Sequence, residues 1–457
     1  MPSARTCRLS RVTARAACVC TLALAMVSPL LAESPAPETP SPGWARVSFF
    51  ANPSVTTPAD GGASSTANEL VTTAAIQSPT YEGSGTEYGA DLRISGDPLS
   101  EGRPNSVSIY DAYIARKLMS GHVAVKAGQM WLNELGALGS VGGVLVEGRQ
   151  LKHADGSRWR AGFFGGLEPE ILQAKYASGV RKAGGYVAYD GKGAWRDVIG
   201  LVTIRNQNLT ERSVLMTNNF LPIGKHVFVF QSAEYDLTGP AGYGSGGLSY
   251  FFTNAHITPT DRLDIQATYH RGRSIDVRTI SIDALNGRPI DQRAVEGLLF
   301  ESVGGRVTAT VSKSVRVFGG YARDQTNQDS IITDRLTAGA YISSLGPTGI
   351  DLTVSDSRTL RGSQSSYDSW YVSAGHVVGS RGYLSGDYTT SLSTLNLTAS
   401  SALQIQTNPR TQRFSGSATV NLNRTFSLLV TVEHTIDPSY TDNRVLAGIT
   451  FRIPVKP

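Results

Sequence analysis

The chain has 457 residues, a formal net charge of +5 and only 17% charged residues, below the roughly 25% of ordinary soluble domains. Its three cysteines, Cys7, Cys18 and Cys20, all lie near the N-terminus, which excludes a disulfide framework, a cysteine metal site and a cysteine nucleophile from the rest. Most of the positive excess sits there too, so the basic balance does not point to nucleic acid.

Arg5, Arg8, Arg11 and Arg15 form a basic region without an acid, followed by the apolar run Val19 to Val27 and by Ser28 to Ala32. These are the parts of a secretory signal peptide, and the run is too short to span a bilayer. Residues 1–32 are expected to be cleaved, taking four arginines and no acid, so the balance falls from +5 to +1. Cys18 and Cys20 precede the apolar run, whereas a lipid-anchored cysteine would follow it. Residues 33–67 form a Pro/Ser/Thr-rich N-terminal segment, in which 33–43 read as flexible, 44–51 as a candidate strand and 53–67 as a loop or a disordered lead-in. Residues 68–457 are assigned to one transmembrane β-barrel.

From residue 68 onward, strand-like segments are separated by alternately short and long gaps. The short ones include Ser120-Gly121, Asp155-Gly156, Gly224-Lys225, Lys313-Ser314 and Asn423-Arg424, whose residues supply tight-turn backbone angles. Longer gaps lie near 132–140, 168–182, 237–246, 271–299, 324–334, 359–368, 392–411 and 437–443. Within the segments apolar and polar residues alternate: Leu263 to Tyr269, Val303 to Val311, Leu336 to Ile342, Phe414 to Leu422 and Val445 to Phe451. Successive strand side chains point to opposite faces, so each segment has one apolar and one wet face. No stretch of eighteen mostly apolar residues follows residue 32, which leaves no helical span. The pattern gives an all-β, antiparallel transmembrane barrel of about 16–22 strands, with short periplasmic turns and long outer loops. Aromatics on or near strand ends, among them Tyr113, Trp131, Trp159, Trp195, Trp370 and Tyr371, suit interfacial girdles.

With these features the chain resembles bacterial outer-membrane porins and related channels. The resemblance rests on the leader, the dyad repeats and the aromatic-bearing terminal strand ending Ile449-Thr450-Phe451-Arg452-Ile453. It implies a place in the bacterial outer membrane, contact with lipid and lipopolysaccharide, and insertion by the barrel assembly machinery. One departure is Pro454-Val455-Lys456-Pro457, which follows the last aromatic where such chains usually end.

The seven histidines are scattered singly, without His-x-His or HExxH spacing, and the carboxylates are dispersed. No catalytic residue, metal site or cofactor is assigned, and the chain is read as a non-enzyme. The glycine-rich piece from Gly136 to Gly143 lacks a following GK[ST] and a βαβ setting, and reads as a loop-to-strand passage. If apolar positions face lipid, the lumen receives Lys126, Arg158, Arg160, Arg262, Asp264, His270, Arg306, Arg316, Asp351 and Arg452, because a charge on the lipid side would cost about 2–4 kcal/mol at mid-membrane. Basic residues outnumber acids in this set.

The longest gap, Arg271 to Leu299, adds Arg288 and Arg293 as candidate constriction residues. Its apolar members, such as Ile275, Ile280, Ile290 and Val295, need cover that open water does not give. A wide barrel has a lumen that its wall cannot fill, so an inward fold is expected. The leading function is passive diffusion of small hydrophilic solutes with a slight anion preference. An export conduit for a polymer such as a polysaccharide, and a structural or surface-binding barrel, remain as alternatives. A homo-oligomer is compatible with each, and no nucleic-acid partner is expected.

Overall fold

The computed structural model describes residues 42–455 except 81–83, 98–104, 151, 171–172, 330, 363–364 and 401–402, and the side chains of 395–407 are also outside the description. The expected leader, residues 1–32, lies outside the described residues. The strands are Gly43–Pro58 (β1), Ser65–Gln77 (β2), Gly85–Gly96 (β3), Ser106–Leu118 (β4), Val123–Trp131 (β5), Ser140–Arg149 (β6), Arg158–Glu170 (β7) and Lys175–Asp190 (β8). They continue as Arg196–Asn206 (β9), Leu209–Ile223 (β10), Val227–Asp236 (β11), Gly247–Thr260 (β12), Leu263–Ser274 (β13), Leu298–Thr310 (β14), Val315–Thr326 (β15) and Thr333–Leu345 (β16). The last are Ile350–Arg361 (β17), Ser365–Val378 (β18), Gly382–Ser400 (β19), Leu403–Thr407 (β20), Arg410–Asn421 (β21), Phe426–Ile436 (β22) and Tyr440–Val455 (β23).

Each strand pairs antiparallel with its neighbours, and β1 pairs with both β2 and β23, which closes the sheet. β20 pairs with the outer end of β19, while β21 pairs with the rest of it, so the two form a single stave of a 22-strand barrel. Closure satisfies the backbone along every stave, the condition for crossing a bilayer with strands. Gly43 pairs with Val455 at the end where the short turns lie, so both ends of the barrel chain share that side. By the rule for this class it is the periplasmic side.

Cross-strand partners share a face, which fixes the lining. Val303, Val307 and Val311 are exposed on the outside, whereas Arg306, Thr308 and Thr310 occupy the inner face of β14 and its turn. Leu336, Trp370 and Val432 belong to the same outer surface. At the periplasmic ends of β7 to β9, Trp159, Tyr189 and Trp195 stack with centroids 4.8 and 5.9 Å apart. Rings with a polar edge suit that headgroup layer. Tyr113 and Tyr371, by contrast, point into the lumen.

The barrel begins earlier than the sequence indicated. β1 occupies Gly43–Pro58, taking in the candidate strand at 44–51 and running on through residues 53–58, expected to be a loop or a disordered lead-in. Its outward residues Val47, Phe49 and Ala51 match lipid, but beyond them the strand is Ser-, Thr- and Pro-rich and hides its periodicity. Pro53 is tolerated because the pairing with β23 skips Asn52 and Pro53 and resumes at Ser54, at a place where a missing N–H breaks no ladder bond.

Candidate functional site

After Trp131 the chain turns into the barrel instead of away from it. Residues Asn133–Gly139 form a short 3-10 segment on the inner wall of β8, β9 and β10. Gly136 sits at φ +53°, ψ −135°, a backbone setting that favours glycine. A Cβ on Gly139 would run into the Leu132 carbonyl. Leu132, Leu135 and Leu138 pack with Met130, Val141, Val198, Val202, Val214 and Met216 into a dry core inside the lumen. This core accounts for the weak alternation of β9, whose outward Ile199 and Leu201 meet lipid while its inward Val198, Val202 and Ile204 are buried.

Polar groups clamp the same segment. Asn218 donates to the Glu134 carbonyl (2.8 Å), and the Glu134 carboxylate accepts from Arg160 (2.8 Å) and Arg196 (2.7 Å). Arg160 also donates to Glu147 (3.0 Å) and Asp190 (2.8 Å), while Arg149 and the Tyr186 hydroxyl donate to Glu147 and Arg158 donates to Asp190. Four guanidiniums against three carboxylates leave one positive charge in this network. Buried charges persist when each is paired and hydrogen-bonded in this way.

A second inward segment covers the outer mouth. Residues 275–297 carry the helices Val277–Leu285 (α1) and Gln292–Glu296 (α2). Asp276 caps α1 by accepting from the Thr279 N–H (3.0 Å) and hydroxyl (2.7 Å), bonds that hold its carboxyl below the ordinary carboxylate value. Ser281 donates to Glu211 (2.5 Å) and accepts from Asn206 (3.1 Å), and Arg278 pairs with Glu168 and Glu211 (2.7 Å). Burial alone would lower the Arg278 guanidinium, but hydrogen bonds and charge from Glu211 and Glu168 outweigh it and raise it. Ile280 and Val295 are buried against Ala241, with Leu209, Ile275 and Ile290 beside them. Glu168, Asn206 and Glu211 belong to the inner wall of β7, β9 and β10, so the segment bridges back over the mouth.

The remaining wall is wet. Its inward positions include Thr353, Ser355, Ser369, Ser373, Ser391 and Ser415. Among the sequence candidates, Arg158 and Arg160 join the clamp. Lys126 lies 3.4 Å over the Tyr113 ring. Arg306 lies 4.0 Å over Phe318 and donates to the Tyr341 hydroxyl (2.6 Å), and Arg316 stands 5.6 Å over Tyr341. Among the described residues, no carboxylate reaches ion-pair distance of Arg306 or Arg316. Arg452 faces inward directly across from Arg46 on β1. Asp264 binds His256, and Asp351 accepts from the Ser344 N–H (2.9 Å). Arg262 lies in the β12–β13 turn at the periplasmic edge, off the lumen wall, because the strands end at Thr260 and restart at Leu263.

Arg288 and Arg293 are exposed on the outer segment, and Arg288 is paired with Asp283. The arginine of that segment which faces the wall is Arg278. Sequence reasoning counts it among the arginines of that gap but singles out Arg288 and Arg293, and it misses Glu134, Glu147 and Arg196. The glycines at 136 and 139 were the available signal for an inward turn. Also missed was the row of rings Phe220, Phe230, Phe252 and Phe300, which flanks His270.

No protein-family model matches this sequence, and no curated protein matches it. Among solved structures, the translocation pore of the P pilus usher PapC is similar over 90% of this chain and all of that one, with 11% identity and a TM-score of 0.46. OccAB4 of Acinetobacter baumannii is similar over 91% of this chain and 99% of its own, at 8% identity and a TM-score of 0.42. OpdQ of Pseudomonas aeruginosa covers 90% and 98%, at 12% identity and a TM-score of 0.41. At such values the likeness brings no lining residue with it. The closed barrel, its apolar exterior and its wet inner wall are those of a transmembrane β-barrel of the outer-membrane type.

Proposed function

We propose that the chain is a passive diffusion channel for small hydrophilic solutes, with a slight preference for anions and no catalytic step. The observation that carries the anion preference is the pair Arg306 and Arg316, which face the lumen without a carboxylate partner among the described residues and are held in place by Tyr341 and Phe318. Fixed charge on a pore wall raises the local concentration of the opposite ion. Arg46 and Arg452, and the single excess charge of the clamp, add to the same field. The periplasmic end contributes Arg381, Arg424 and Arg452 around a shallow cleft of about 470 Å³. In a planar bilayer under a potassium chloride gradient, the reversal potential should indicate chloride preference, and Arg306→Gln with Arg316→Gln should reduce it. Equal selectivity in the two proteins would overturn the assignment.

The same reading includes lipopolysaccharide as a neighbour. On the outer face of the extracellular rim, Arg323 pairs with Asp334 (2.8 Å) and Arg358 with Asp368 (3.3 Å), a polar collar above the apolar band. Insertion would use the barrel assembly machinery through the terminal strand β23. Self-association would use the lipid-facing side.

A further inference from the structure

Six rings form a continuous row across the inner wall of β10 to β14. Phe220 pairs in register with Arg196, whose guanidinium reaches the inward segment, so this row faces the lumen. Phe228 lies 6.3 Å from Phe220, Phe220 4.7 Å from Phe230, and Phe230 5.8 Å from Phe252. Phe252 then lies 6.0 Å from His270, and His270 5.5 Å from Phe300. Tyr250, 5.4 Å from His270, widens the row at its outer end. The rings do not close into a sealed core, and Phe220 remains 36% exposed. Five consecutive strands thus hold ring faces, His270 among them, against the water of a channel, a costly arrangement without an occupant.

The row leads to a cleft of about 360 Å³ roofed by Ile275 and Val277 of the outer segment. The cleft is polar at its edge. Arg212 donates to Asp236 (2.6 Å), Glu234 (2.9 Å) and Ser249 (2.8 Å), and Arg273 also lines the space. Two guanidiniums and two carboxylates make this cleft electroneutral. Beside the rings, Asn254 donates to Thr268 (2.8 Å) and His256 bonds Asp264, so donors and acceptors of both kinds flank the stacking surface.

We propose that this row and cleft form a binding track for neutral, ring-shaped polyols, meaning short pyranose oligosaccharides. A pyranose presents an apolar C–H face to an aromatic ring and hydroxyls around its rim. An anionic aromatic solute fits less well in the cleft, where two carboxylates match two guanidiniums and the unpaired Arg306 is not among the lining residues. The spacing from ring to ring is of the order of one sugar unit, so an oligosaccharide passes from ring to ring without losing contact. The inference rests on the channel reading, and it names the solute class which that reading leaves open.

The test separates the two. Ion conductance in a planar bilayer reads the channel itself. Calorimetric titration of the detergent-solubilised barrel with maltotriose and cellotriose reads the track, with sorbitol as an acyclic comparator. Saturable binding of a trisaccharide, absent for sorbitol, is expected. Phe230→Ala with Phe252→Ala should weaken it by about tenfold or more, while Phe230→Tyr with Phe252→Tyr keeps it. Chloride conductance should stay similar in all three proteins. No trisaccharide binding by the unaltered barrel, or equal binding by the alanine pair, would overturn the track whatever the conductance. Binding of benzoate in place of the trisaccharides would overturn it too.

Discussion

Glu134→Gln combined with Leu135→Ala should release the inward segment and enlarge the pore without unfolding the barrel. Leu135 is fully buried, and truncating such a side chain costs about 2–5 kcal/mol. Glu134 ties the segment to Arg160 and Arg196, and hydrogen bonds to charged groups contribute roughly 1.5–3 kcal/mol each. The two sites adjoin, so the effects do not simply add, and Arg160 keeps Glu147 and Asp190. A combined loss of about 4 kcal/mol moves the docking equilibrium by roughly a thousandfold. The strand ladders are untouched, so the loss falls on docking alone. Single-channel traces should show frequent steps to a larger conductance, and a cysteine at Leu138, which is buried while the segment is docked, should become reactive to a water-soluble maleimide. If the double variant migrates as a folded barrel in unheated gels yet conducts as before, the segment does not narrow the pore.

Three further outcomes follow from the geometry. A cysteine at Thr308 should label from water while one at Val307 should not, since a one-residue slip would invert every side chain; equal labelling would refute the register. Gly143→Ala should lower the unfolding temperature by the equivalent of about 1–3 kcal/mol, because a Cβ there meets the Gly165 carbonyl, whereas Gly165→Ala, which meets nothing, should be neutral in the same melt. Asp276 has a depressed carboxyl, so its contribution to α1 is present above the ordinary value of 3.8 and is lost as pH falls through its lower native value. Protease sensitivity of 275–297 should therefore rise only in that acid range, and Asp276→Ala, which costs about 0.5–2 kcal/mol, should bring the sensitivity to neutral pH.

The barrel was legible wherever one face of a strand meets lipid and the other meets water. Val303 to Val311 and Phe414 to Leu422 alternate because each side has a single solvent, and there the register could be assigned to the residue. The signal failed where that condition fails. β9 is apolar on both sides because Val198, Val202 and Ile204 meet the inward segment, and the outer end of β1 is polar on both sides because it stands beyond the membrane. The candidate site was legible in part. Lys126, Arg158, Arg160, Arg306, Arg316 and Arg452 follow from parity alone and do face inward. Arg278 lies in the short helix α1 and Glu134 in a 3-10 segment, both outside the strand dyads, so their direction depends on tertiary packing. The ring row was invisible because Phe220, Phe230, Phe252 and Phe300 are far apart in sequence and meet only through cross-strand neighbours.

The filled side of the lumen explains the character of the open side. Fully burying a Val, Leu or Met side chain is worth about 1.5–3 kcal/mol relative to leaving it exposed, so the apolar inner face of β5 to β10 must be covered. The segment at 132–139 supplies that cover and displaces the water path from the barrel axis toward the remaining strands. That path runs along the Ser- and Thr-rich wall of β17 to β21, whose inward side chains are mostly hydroxyls, with Asp351, Tyr371, Asp387 and Arg413 among them. Between filled and open sides lie β10 to β16, where the ring row and the unpaired Arg306 and Arg316 stand next to one another, Gln266 and Arg306 being direct partners in register. A solute entering past α1 therefore meets stacking surface and fixed positive charge on the same flank, with a mostly hydroxyl-lined wall opposite. Discrimination belongs to that flank, and its loss should leave a wide but indifferent pore.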